Sequence, residues 1–139
     1  RSTDMTDDYQ PYRRGTVLAV SGPCKHLHVV CNDPVHYPIN GCHCVLVVNV
    51  SSVKFGVPYD DTCILNVGDH SFIKHESYIV YKAAAIWRLD NIDRKLNEGT
   101  LEAYKDDVND PIFQRILDGF DISDHVSMDN HRFWKKYCR

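Results

Sequence analysis

The run CHCVLVVNVSSV, residues 42–53, is β-branched and almost continuously apolar at its centre. A run of that length and composition predicts a strand buried on both faces, the kind of element around which the rest of a small domain must be wrapped. At 139 residues, the chain suits one domain with a single core.

The neighbouring segments fit the same pattern. GTVLAVS (15–21) reads as a strand, GPCK as a turn through Gly22-Pro23, and HLHVVCN (26–32) as a second strand. The two prolines and the glycine of DPVHYPING exclude regular structure there, and KFGVPYDD is a second loop. TCILNV is a short strand, ended by a turn at Gly68-Asp69. In SYIVYKAAAIWR the three alanines favour helix and the β-branched and aromatic opening favours strand, and a strand over 77–88 is predicted. Five short strands with no helix between them describe a small barrel.

After Leu89 the chain turns helical. NIDRKLNEGT is a short helical connection with Gly99 to stop it. NDPIFQRILDGF (109–120) has a capping residue, Pro111 in its first turn and Ile112, Ile116 and Phe120 at four-residue spacing. The tail SMDNHRFWKKYCR forms a last basic helix whose Phe133, Trp134 and Tyr137 dock on the barrel, with nucleic-acid contact as the alternative. The expected class is therefore mainly β with C-terminal helices (α+β). A mobile polar lead-in occupies residues 1–13, the barrel and its closing helix 14–120, and the basic, aromatic extension 121–139.

Net charge is −3 with histidines neutral, so no bulk positive field would hold the protein on nucleic acid, and any such contact needs a local basic groove. No apolar run approaches the roughly 18 residues of a membrane span, and the chain reads as cytoplasmic, with no membrane partner. The cysteines at 24, 31, 42, 44, 63 and 138 are expected as reduced thiols, several of them buried within strands. No phosphate-cradling glycine loop, nucleophile elbow or dinucleotide fingerprint is present, and no cofactor is expected.

The order of these segments resembles the PemK/MazF family of toxin ribonucleases. The resemblance rests on RRGTVLAV, then KHLHVVCND, then VLVVNVSS, then SFIKHESYIVYKAAAIWRLDNIDRKL, and covers roughly residues 13–120. In that family the first strand opens on Arg-Gly, the second begins Arg-Pro and ends Asn-Asp, and the third ends near a Thr-Ser pair. A later strand opens Ser-Tyr/Trp-Val and is followed by Asp-x-x-Arg-Leu. Here Arg14-Gly15, Asn32-Asp33, Ser51-Ser52, Ser77-Tyr78 and Asp93-Arg94 fall in that order. The resemblance implies an SH3-like barrel, usually a homodimer, that cleaves single-stranded RNA at short sequences without metal and is restrained by an antitoxin protein. It also places Lys25 at the family's catalytic Arg, His26 at the following Pro and Ser51 at its Thr. Lysine keeps the cation but loses the bidentate grip on phosphate.

Metal-independent cleavage of RNA needs a base for the 2′-hydroxyl, an acid for the leaving 5′-oxygen and donors for the non-bridging oxygens. Lys25, His26, Ser51 and His75 supply those types and form the expected catalytic set, with Arg14, His28, Ser52 and Lys74 as substrate-binding residues. Val29, Val30 and Cys31 are expected in the core, while Lys25 and the two histidines face a groove. Two other readings remain open. A non-catalytic SH3-like module would use that groove to bind a protein or nucleic acid. A zinc-stabilised binding domain would join Cys24, His26 and His28, on one strand face, to Cys42 and Cys44 on the next strand. Asp60, Asp61 and Asp69 read as solvated turn acids.

Overall fold

A computed structural model of the protein describes residues 9–139. The strands are β1 (Thr16–Ser21), β2 (Cys24–Val30), β3 (Val35–Tyr37), β4 (Cys42–Ser52), β5 (Ile64–Leu65), β6 (Ser77–Arg88) and β7 (Leu101–Ala103). They form a single antiparallel sheet in the order β5-β6-β4-β2-β1-β7, with β3 pairing to β4 beside that path. The sheet curls strongly into a half-barrel.

Three helices complete the molecule: α1 (Leu89–Glu98), α2 (Asp110–Ile122) and α3 (Met128–Tyr137). Helix α1 ends at Gly99. Helix α2 is capped by the Asn109 side chain, which accepts from the Ile112 N–H, and Pro111 occupies its first turn.

The alternation of strand side chains divides the core in two. Leu27, Val29, Leu46 and Val48 point to the side filled by α2 and α3, where they meet Phe113, Ile116, Phe120, Phe133 and Trp134. Val17, Val30, Val45 and Val47 point to the other side and are covered by Ile92 of α1 and Leu101 of β7. Strand β4 is thus buried on both faces, as its composition predicts, because helices sit on both sides of it.

Strand β6 covers residues 77–88 as expected, and its alanines have a structural explanation. Val47 of β4 is opposite Ala85 of β6, whereas Asn49 is opposite Val80, so Tyr81–Ala84 bulge out against Val48 alone. Two of the three alanines lie in that bulge, where small side chains tolerate the bend it puts into the strand.

Several expectations need correction. The segment 33–41 does contain a strand, because Pro34 and Pro38 flank Val35–Tyr37 instead of interrupting its pairing with Cys42–Cys44. Strand β5 is only two residues long, since the Asp69 carboxylate accepts from the Asn66 N–H and turns the chain early. At three residues, β7 is too short to leave a periodic signal. Residues 1–8 of the expected mobile lead-in lie outside the described residues. The remainder is pinned: the Tyr12 hydroxyl donates to Asp107, the Arg13 N–H to Asp33 and the Arg13 guanidinium to the Cys138 carbonyl at 2.8 Å. The tail packs against the sheet, as its aromatic residues predict, with Phe133, Trp134 and Cys138 buried in the main core.

Candidate nucleic-acid cleft

Hydrogen bonding between β2 and β4 covers only His28–Val30 against Val47–Asn49. Both strands continue beyond His28 and Asn49, β2 back to Cys24 paired with β1, and β4 on to Ser52 paired with β6. They part at that point like the arms of a fork. The gap between them is a cleft of about 540 Å³.

One arm supplies Cys24, Lys25, His26 and Leu27, and the other Val50, Ser51, Ser52 and Lys54. The segment 71–75 and Tyr104 close the remaining side. That segment is held by short-range chemistry. The Phe72 N–H donates to His70 Nδ1 at 3.1 Å, which leaves Nε2 of the ring to donate to the Asp106 carbonyl at 2.8 Å. Ile73 is buried beneath it, the Phe72 and Tyr104 rings meet edge to face, and the Ser77 hydroxyl donates to the His75 carbonyl. Lys74 and His75 are thereby carried on a fixed wall.

Six of the eight residues singled out from the sequence line this one cleft: Lys25, His26, Ser51, Ser52, Lys74 and His75. The other two do not. Arg14 turns to the start of α2, donating to the Val108 carbonyl at 2.8 Å and lying 3.3 Å from the Asp110 carboxylate. His28 packs its ring on Trp87, 5.3 Å between centroids, and burial pushes its pKa below the ordinary 6.5. The reason is the strand period. Lys25 shares its face with Leu27 and Val29, whereas His28 lies on the opposite face with Val30, so Lys25 and the two histidines do not share one face. His26 belongs by alternation with His28 but reaches the rim of the cleft because the fork opens at its level.

The cleft is cationic within a chain of net negative charge. Lys25, Lys54, Lys74, His26 and His75 line it, and among the described residues no Asp or Glu does. Glu102 and Asp106, which bond to lining residues, are already engaged. Lys25 Nζ donates to Glu102 at 3.1 Å with both side chains about half exposed, and Asp106 accepts from the Ser71 hydroxyl at 2.6 Å. Such a field attracts phosphate, while Phe72 and Tyr104 add aromatic surface. Lys54, Ser71, Phe72 and Tyr104 escaped the sequence reading, since nothing in their local pattern separates them from loop residues.

The Cys/His ligand set is not assembled. Because β2 and β4 run antiparallel, Cys42 and Cys44 sit at the end of the sheet away from Cys24 and His26. Their sulfurs lie 3.8 Å apart, and Asn40 donates to Cys44. Among the described residues no three His, Cys, Asp or Glu side chains converge to hold a metal ion, all six cysteines are free, and no helix is long and apolar enough to cross a membrane. Asp60 is saturated by Thr62 and Ser123, as a turn acid.

Comparison with protein-family models, with curated proteins and with solved structures returned no match.

Proposed function

We propose that the protein is a metal-independent endoribonuclease that cleaves single-stranded RNA in the forked cleft, on an SH3-like barrel. The observation that carries this reading is the convergence of Lys25, His26, Ser51 and His75 on one cleft whose lining residues include no Asp or Glu. Their positions suit an in-line displacement. His26 and His75 both line the cleft, from β2 and from the segment before β6, and in the proposed step one takes the 2′-hydroxyl proton as the 2′-oxygen bonds to phosphorus while the other protonates the 5′-oxygen as its bond to phosphorus breaks. Lys25 and Ser51 donate to the non-bridging oxygens as negative charge builds there. The products are a cyclic phosphate and a 5′-hydroxyl, with no metal required for balance.

The resemblance to PemK/MazF toxins extends the proposal to a homodimer restrained by an antitoxin, within a toxin–antitoxin or mobile-element system. The test is cleavage of a mixed-sequence single-stranded RNA in EDTA by the purified protein, with Lys25→Ala and Ser51→Ala alongside. Loss of cleavage in both variants is expected, and RNA left intact by the wild type would overturn the proposal.

The Lys25–Glu102 ion pair favours a second reading. The pair points Lys25 at Glu102 in the free protein, which suits a module that binds through the groove without cutting. Tight RNA binding with no product separates the two.

A further inference from the structure

A type II turn spans Lys54–Val57, closed by the Val57 N–H donating to the Lys54 carbonyl at 3.1 Å, with Gly56 at φ 76 supplying the left-handed third position. Phe55 therefore occupies the corner of a defined turn, and its side chain is fully exposed. Full exposure of a phenylalanine forgoes about 2 kcal/mol of burial. The turn itself does not ask for it, since most residues fit that corner.

The residue before it, Lys54, lines the cationic cleft, one Cα step of about 3.8 Å away. A cation on a cleft wall followed at once in the chain by a fully exposed aromatic ring matches single-stranded nucleic acid, in which each phosphate is followed by a base with an exposed π-face. We infer that Phe55 is a base-stacking residue at the mouth of the cleft, holding a nucleotide next to the phosphate gripped by Lys54. This rests on the proposal that the cleft binds single-stranded RNA, and it assigns a contact by which the substrate is held, independent of base identity.

The test is binding of a fluorescein-labelled 2′-O-methyl oligoribonucleotide, which lacks the 2′-hydroxyl and cannot be cleaved, measured by anisotropy beside an abasic strand of equal length. Phe55→Ala is expected to weaken binding of the base-bearing strand about tenfold and to leave the abasic strand unchanged, while Phe55→Trp restores binding with quenching of its fluorescence by the bases. Equal affinity of wild type and Phe55→Ala for the base-bearing strand overturns the inference while leaving the cleft reading intact. No binding of either strand by the wild type removes both. If sedimentation instead shows self-association abolished by Phe55→Ala with nucleic-acid binding unaltered, the ring serves contact between copies and the inference is overturned.

Discussion

Tyr81 lies across Gly119, its ring packed on the helix surface and its hydroxyl donating to the Ile116 carbonyl at 2.7 Å. A methyl group at position 119 would coincide with the Tyr81 phenol. Both partners are buried, and burial drives the phenol pKa far upward. Together with the edge-on packing of the Tyr81 ring against Phe120, this contact fastens the β6 bulge to α2.

Replacing glycine by alanine within a helix ordinarily gains about 1 kcal/mol. Here the sign reverses: Gly119→Ala is expected to destabilise by about 2 kcal/mol through overpacking. Tyr81→Phe, which removes the hydroxyl but leaves the ring, should cost about 1–2 kcal/mol because the Ile116 carbonyl loses a buried partner. Urea denaturation measures both, and an alanine variant more stable than wild type would refute the contact.

Asn32 is buried and clamps the end of β2. Its side-chain oxygen accepts from the Leu46 N–H at 2.8 Å and its amide donates to the Asp33 carbonyl at 2.8 Å. Asn32→Ala leaves a buried backbone donor unpaired and should lower stability by about 1–3 kcal/mol. RNA cleavage by the variant that remains folded is expected to be unchanged, since Asn32 does not line the cleft. Lost cleavage with unaltered stability would contradict this assignment.

The pKa of His28 is lowered by burial against Trp87, so the unfolded chain binds its proton more readily than the folded one. Its contribution to stability is fully present above about pH 6.5 and declines as pH falls from there through the lower folded value. His28→Gln should flatten that part of the stability profile between pH 7.5 and 5.5. Thermal melts across that range are the check, and parallel profiles for the two proteins would dismiss the effect.

On the proposed function, the three lysines along the cleft set a salt dependence. If each neutralises one phosphate, the logarithm of RNA affinity should fall with the logarithm of salt concentration with a slope of about −2, and Lys74→Ala should reduce that slope by about 0.7. Fluorescence titration between low and physiological salt measures it. A slope unchanged by the substitution would place Lys74 off the path of the strand.

Cys24 is the exposed cysteine and lies on the cleft wall. Iodoacetate is expected to modify it first, adding a negative charge at the mouth and weakening RNA binding, while Cys24→Ser binds normally and resists the reagent. Peptide mass mapping identifies the thiol modified.

What the sequence disclosed follows from how strongly each signal is encoded. Strand β4 is an uninterrupted apolar run, and α2 carries a cap, a first-turn proline and a four-residue period, so both are legible. Six site residues converge because they flank strand ends that the curled sheet brings together. His28 diverges because a residue type says nothing about which face of the strand carries it, and one step along a strand reverses the face; Arg14 diverges because it precedes β1, in a turn with φ 75 that aims it at the start of α2. Tyr104 and Lys54 join the cleft through contacts distant in sequence, which local patterns do not record. The alanines of β6 pulled toward helix because Ala has the highest intrinsic helix propensity, while Ala83 and Ala84 lie in a bulge that local pattern does not record.

The bulge at Tyr81–Ala84 and the parting of β2 from β4 fall at the same level of the sheet, around Val48 and Asn49. The bend of β6 at that level is anchored on α2 through Tyr81. The joint at which the two arms divide is thus tied to α2 through the Tyr81 phenol, a group that does not itself line the cleft.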